Sequence, residues 1–193
     1  MNVLVLNNTF TPVADIVRKR GDNVVECSES IDLAFLKSNT VGFIVSHGYR
    51  HIIKPAIADF MRSRIINLHI SLLPWNRGAD PNLWSFLENT PKGVTIHYVD
   101  EGVDTGDIIV QREVVFENEG ETLSTTYQKL QNEIIERFEE VWLQIRKLNY
   151  LGQKQKGMGS FHKLIDKKKY ERLLTEGWNT PVSILIGKGL KIE

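Results

Sequence analysis

Cysteine is almost absent. Cys27 stands alone, so the chain has no internal disulfide and cannot build a thiolate metal cluster. Long apolar runs are missing as well, and none approaches the ~18 residues that a membrane span needs. Neither sign of charge is in excess, with 24 Lys and Arg against 24 Asp and Glu. A bulk electrostatic attraction to nucleic acid or to a membrane surface is therefore not suggested. The opening MNVLVLNN has neither the basic region nor the long apolar stretch of an export signal, so a reducing, cytoplasmic setting is expected. Glycine is missing where nucleotide fingerprints need it. After the apolar run at residues 3–6 the chain reads Asn7-Asn8-Thr9-Phe10-Thr11-Pro12. That segment has no Gly-x-Gly-x-x-Gly, and no Walker loop occurs anywhere, so NAD, FAD and P-loop chemistry are not expected.

What is present is globular. Of 193 residues, 41% are apolar and 25% charged, enough to bury the core of one ordinary domain with a short appendage. Short apolar runs at 3–6, 23–27, 41–45 and 65–70 alternate with helical patterns at 13–20, 31–36 and 55–61. That rhythm predicts an α/β fold with a Rossmann-like, mostly parallel sheet and helices on both faces. Asp80-Pro81 reads as an N-cap and first-turn pair that opens a helix to about residue 89. Strands are expected at 93–99 and 108–116, joined by residues 100–107. A long helix over 122–149 follows, its stripe built from Leu123, Tyr127, Leu130, Ile134, Phe138, Val141, Ile145 and Leu148. Residues 152–159 read as a linker, 166–174 as a short helix and 182–186 as an extended segment. The charge is uneven along the chain: residues 151–193 carry +5 and residues 1–150 carry −5. The basic tail reads either as a solvated surface or as a receiver of phosphates.

Asn67-Leu68-His69 closes the fourth strand pattern. Residues 67 and 69 of a strand share one side, and ligands of parallel sheets gather at the carboxyl ends of strands. An amide and an imidazole presented together can hold a developing oxyanion and move a proton, or simply satisfy hydrogen bonds at the end of the sheet. Residues 100–107 place four carboxylates, Asp100, Glu101, Asp104 and Asp107, in eight residues. This is an acidic turn without the spacing of a calcium loop, and a carboxylate from it reaching a histidine would favour the charged imidazole. The five histidines show no metal-binding spacing, so no metal is expected.

Three motifs in order carry a family resemblance: residues 67–74 (NLHISLLP) with Arg77-Gly78, residues 93–97 (GVTIH) and residues 103–106 (VDTG). They resemble the folate-dependent formyltransferases, a family that includes glycinamide ribonucleotide transformylase, methionyl-tRNA formyltransferase and the nucleotide-sugar N-formyltransferases. The resemblance implies a catalytic domain over residues 1–150, with a short C-terminal extension at 151–193. It implies 10-formyltetrahydrofolate as donor and a primary amine as acceptor, without a metal. It implies Asn67, His69 and Asp104 as catalytic residues, and a folate pocket lined by Tyr49, His51, Ile52, Ile53, Asp100, Gly102 and Val103. It further implies Asn8, Thr9 and Arg77 as acceptor-binding residues.

Within the family the features favour a nucleotide-linked amino sugar. The loop after the first strand lacks the glycines of a ribonucleotide phosphate loop. Only about 43 residues follow the long helix, too few for the β-barrel domain of the tRNA enzyme. A dTDP- or GDP-linked 4-amino-4,6-dideoxyhexose destined for a surface polysaccharide such as O-antigen is the expected type of acceptor. Glycinamide ribonucleotide, methionyl-tRNA and simple hydrolysis of formyltetrahydrofolate are the alternatives. The expected partners are small molecules and a second copy of the chain, not nucleic acid or membrane.

Overall fold

A computed structural model describes residues 1–8, 11–117 and 119–189. The elements run β1 (Asn2–Leu6), α1 (Val13–Lys19), β2 (Asn23–Cys27), α2 (Leu33–Ser38), β3 (Val41–His47), α3 (Pro55–Phe60), β4 (Ile65–His69), β5 (Arg77–Gly78), α4 (Pro81–Leu87), β6 (Gly93–Tyr98), β7 (Ile108–Glu113), α5 (Leu123–Ile145) and β8 (Phe161–His162). Six strands form one sheet in the order β2-β1-β3-β4-β6-β7. The pairs β2-β1, β1-β3 and β3-β4 are parallel, the α/β architecture that the strand–helix rhythm predicts. Residues 3–6 are wholly buried, as expected of continuous apolar runs in a covered parallel sheet.

The chain divides into two compact units. The first comprises Met1–His69, Ile96–Val110 and Ile134–Gln155, and the second Ile70–Thr95, Gln111–Glu133 and Lys156–Glu193. In the first, Leu4, Leu6, Ile31, Leu36, Ile44, Ile57, Met61 and Ile65 form a core cluster. On another part of it, Trp142 is fully buried, edge-on to Phe43 with ring centres 5.3 Å apart. In the second unit, Leu83, Trp84, Phe86 and Leu87 of α4 pack with Leu123, Val182 and Leu185. There β5 and β8 make a two-stranded parallel pair, Arg77 opposite Phe161 and Gly78 opposite His162.

Four expectations change. The long helix ends at Ile145. Leu148 has a left-handed backbone (φ 57°), and both it and Tyr127 are exposed. Asp80 does not cap α4 with its side chain; its backbone is left-handed (φ 52°) and its carboxylate pairs with Lys167 Nζ at 2.9 Å. Residues 182–184 form a 3₁₀ turn, not an extended segment, because Val182 and Leu185 both turn into the apolar cluster beside α4. Residues 152–155 are not a free linker: Gln153 and Ile108 exchange two backbone hydrogen bonds of 2.8 Å.

The C-terminal segment is held to the second unit by a polar and aromatic knot. The His162 ring stacks on Trp84 with centroids 3.7 Å apart and planes 6° from parallel. His162 Nε2 lies 3.0 Å from Glu88 Oε1, and Asn76 Nδ2 donates to Glu88 Oε2 at 3.1 Å. Burial pushes the Glu88 carboxyl up, but hydrogen bonds from His162 and Ser160 outweigh it and hold the group below its ordinary pKa. A depressed carboxylate contributes stability above its unfolded pKa and loses it as pH falls through the folded value. Glu88→Gln is therefore expected to cost roughly 1 kcal/mol near neutral pH. Its difference from wild type should close as the pH drops into the carboxyl range, as thermal melts across that range will check.

Candidate active site

β4 delivers two side chains to one point. Asn67 and His69 alternate with the buried Leu68, so both leave the strand on the same side, at its carboxyl end. They meet Asp104 on the turn between β6 and β7. Asn67 Nδ2 donates to Asp104 Oδ1 at 3.0 Å. His69 Nδ1 stands 3.6 Å from Asp104 Oδ2. A fourth group joins from the end of β6, with His97 Nε2 3.4 Å from Asp104 Oδ1 and 3.4 Å from Asn67 Nδ2. His97 Nδ1 lies 2.8 Å from the Tyr98 carbonyl. A carbonyl only accepts, so that nitrogen carries a proton. Nε2 then accepts from Asn67 in the neutral ring and donates to Asp104 in the charged one.

The carboxylate is 12% exposed, His69 7% and His97 1%. With so little water between them, these charges act on one another more strongly than surface groups do. The cluster can supply an amide N–H to a forming oxyanion, a proton from an imidazole and a carboxylate that favours the imidazolium.

Asp104 is placed by backbone geometry. Its φ is +53°, in the left-handed region that costs a non-glycine residue about 1–2 kcal/mol and that Asp tolerates better than most. Around it, Asp100 Oδ1 accepts from Gly102 N at 3.0 Å and from Thr105 Oγ1 at 2.6 Å, closing the near half of the turn. At Gly106 an added Cβ would collide with the Tyr98 carbonyl, so the turn can return to β7 only through a glycine. The Gln155 side-chain amide lies against the same turn.

The residues expected to line a folate pocket fall on two loops, and three of the side chains on these loops rest on one core. Tyr49, Ile53 and Val99 all pack on the cluster of Leu4, Leu6 and Ile44. Tyr49 Oη donates to the Glu29 carbonyl at 2.6 Å, and burial raises its pKa. His51 lies against the Tyr49 ring, 5.2 Å centre to centre, while Ile52 points outward and is 77% exposed. Gly102 and Val103 sit on the exposed rim of the Asp104 turn. The loop is braced where the sheet order reverses, between β1 and β3. Asn8 Oδ1 accepts from Arg50 N at 2.6 Å, and Thr11 Oγ1 bonds His47 Nδ1 at 2.8 Å.

Of the acceptor residues, Asn8 thus spends its side chain on the loop after β3. Thr9 lies outside the described residues. Arg77, on β5, has a buried Nε without a hydrogen-bond partner among the described residues. Lys167 is engaged twice, by Asp80 and by the face of Trp178. His97, Thr11 and Gln155 were not legible as site residues. His97 had a signal, an imidazole at a strand end just before the acidic turn. Gln155 had none.

The chain is similar to known proteins in both sequence and structure. A family profile described as "Formyl transferase" matches residues 7–141. The crystal structure of the formyltransferase PseJ from Anoxybacillus kamchatkensis, in complex with UDP-4,6-dideoxy-4-formamido-L-AltNAc and tetrahydrofolate, superposes with a TM-score of 0.93 at 51% identity, covering 98% of this chain and 100% of that one. The methionyl-tRNA formyltransferase of Caldanaerobacter subterraneus subsp. tengcongensis is 30% identical over 154 residues, 77% of this chain and 49% of its own length. The phosphoribosylglycinamide formyltransferase of Bacillus subtilis is 35% identical over 120 residues, 62% of this chain and 61% of its own length. The chain spans about half or less of the length of the methionyl-tRNA formyltransferases that head the curated relatives.

Gly106→Ala tests how the turn is built. The added methyl has no room against the Tyr98 carbonyl, so the variant is expected to lose about 1–3 kcal/mol and to draw Asp104 away from Asn67. Urea unfolding reads the first effect and a crystal structure of the variant the second.

Proposed function

Because the chain belongs to the formyl transferase family, we propose that it transfers a formyl group from 10-formyltetrahydrofolate to the primary amine of a nucleotide-linked amino sugar. The observation that carries this reading is the Asp104 carboxylate held against both the Asn67 amide and the His69 imidazole. In this reading residues 1–150 form the catalytic domain and residues 151–193 extend it.

The amine attacks the formyl carbon, and the carbonyl oxygen becomes an oxyanion. Asn67 keeps one N–H on Asp104 and turns the other, which faces His97 Nε2 at 3.4 Å, to that oxygen. His69 has Nδ1 turned toward Asp104, so its donation to substrate comes from Nε2. Asp104 keeps the ring charged until the oxyanion has formed. The carboxylate then takes the proton released by the attacking nitrogen, directly or through water, and passes it to the folate nitrogen, whose bond to the formyl carbon breaks as the carbonyl re-forms. All electrons stay in bonds between substrates, so the reaction needs neither a covalent enzyme intermediate nor a redox partner.

The 51%-identical PseJ structure holds a UDP-linked 4-formamido sugar. That supports a UDP-linked 4-amino-4,6-dideoxy sugar as acceptor, in place of the dTDP and GDP sugars that the sequence alone suggested. Arg77 is assigned to the diphosphate, since its guanidinium has the fork that phosphate oxygens accept from. Asn8 and Thr9, which follow β1 in the sequence, are assigned to the acceptor. The reading also takes the chain to work in the cytoplasm as a homodimer, which light scattering on the purified protein tests.

Asn67→Ala, His69→Ala and Asp104→Ala are each expected to lower kcat by ~10²–10³ while the protein stays folded. Near wild-type turnover in His69→Ala would sink the mechanism. Arg77→Ala should raise KM for the nucleotide sugar by on the order of tenfold, the weight of one charged hydrogen bond, and leave folate binding unchanged. A panel of UDP-, dTDP- and GDP-amino sugars, glycinamide ribonucleotide and charged initiator tRNA decides the acceptor. Formylation of the tRNA or the ribonucleotide alone would overturn that assignment.

A further inference from the structure

We propose that Gln155 is a positioning residue for the Asp104 carboxylate, tying down the backbone that aims it at Asn67 and His69. The Gln155 Nε2 amide donates to the Asp104 carbonyl at 2.8 Å and to the Gly106 carbonyl at 2.9 Å. Both of its protons thus go to two carbonyls that flank Thr105. The orientation of the amide is fixed by chemistry. Reversed, its oxygen would face two other oxygens, and none of the three could donate.

The segment that carries Gln155 is itself anchored on both strands that bound the turn. Gln153 exchanges backbone hydrogen bonds with Ile108 at the start of β7. Lys154 Nζ pairs with Asp107 at 2.9 Å. Tyr98 Oη, at the end of β6, donates to the Tyr150 carbonyl at 3.0 Å. At Gly152 an added Cβ would stand 2.5 Å from the Asp107 Cβ. The strap is therefore fastened to the two feet of the turn, and Gln155 reaches from it to the residue at the turn's crown.

This matters because Asp100 accepts from Gly102 and Thr105 within the turn. Those bonds shape the near half of the turn. Asp104 adopts a left-handed backbone, a conformation that persists only where its surroundings impose it. The gap from His69 Nδ1 to Asp104 Oδ2 is already 3.6 Å. A small outward shift of the crown would break that pairing while leaving the sheet untouched. Misplacement of a reacting group by about 1 Å costs on the order of 10²-fold in rate.

The activity arm of the test rests on the formyl-transfer reading; the titration arm does not. Gln155→Leu removes both donors and keeps most of the volume. Gln155→Glu sets a carboxylate against the two carbonyls. In both variants kcat should fall by roughly ten- to a hundredfold, with KM for the amino sugar changed by less than about twofold. His69 is read directly by following its ring proton through a pH titration by NMR, with no substrate present. The groups facing it in this cluster are Asp104, Asn67 and His97. With the carboxylate displaced, the ring should titrate at lower pH than in wild type. Gln155→Glu should recover activity relative to Gln155→Leu as the pH is lowered, because the introduced carboxyl takes up a proton and donates it to one carbonyl. Turnover within about twofold of wild type in both variants would overturn the proposal. So would a lowered melting temperature with the His69 titration unmoved, because that result marks a purely structural role. If the wild-type protein transferred no formyl group at all, the function assigned above would fall, and the His69 titration would still decide this inference.

Discussion

A carboxylate on a left-handed residue is the constraint around which the first unit is arranged. Asp104 must turn inward from an exposed, four-carboxylate bend and meet an amide, an imidazole and a second imidazole within 3.0–3.6 Å. A β-turn does not do this unaided. The return to β7 passes a point where only hydrogen fits on the Cα, at Gly106. The near half is closed by Asp100, and the crown is tied from the strap at residues 152–155. Loosening any of these is expected to leave the sheet intact and to move the carboxylate that faces His69.

The sheet supplies the other half of the arrangement without special devices. Two side chains two apart on a strand share a side by the geometry of the pleat. A strand buried on both faces has little freedom to shift its register. Asn67 and His69 are therefore positioned by the same apolar burial that stabilises the fold, while Asp104 is positioned by polar contacts that do little for it. This division puts the rigid partners on β4 and β6 and the adjustable partner on a turn.

The same division explains what could be read from the sequence. The strand–helix rhythm and the Asn67/His69 pair are local patterns, and the structure carries both. Which of the four acidic residues at 100–107 turns inward depends on a backbone angle, and no periodicity encodes it. Only the resemblance to formyltransferases singled out Asp104. His97 meets Asn67 across 30 positions of chain and Gln155 meets Asp104 across 51; the strand end before the acidic turn hints at the first, and nothing near residue 155 hints at the second. The misreadings have the same origin. Asp80 looked like a cap because Pro follows it, but a lysine 87 positions later claims its carboxylate. Val182 and Leu185 read as part of an extended segment, but the apolar surface of α4 draws both onto one side of a tight turn.

The pairing of β5 with β8 has a consequence for how the protein is made. Asn76 and Ser160, at the foot of that pair, are 84 residues apart. A ribosome adding about 5–20 residues per second needs roughly 4–17 s to bridge that interval. Until then the edge of Arg77 and Gly78 has no strand to bind, and Trp84 has no imidazole to lie against it. The parallel strands β1 to β4 are all complete by residue 69, so their half of the sheet can form while the strap and tail are still being synthesised. During that window the nascent chain displays an unpaired backbone edge beside apolar α4, the kind of surface that chaperones recognise and that a crowded polysome exposes to its neighbours.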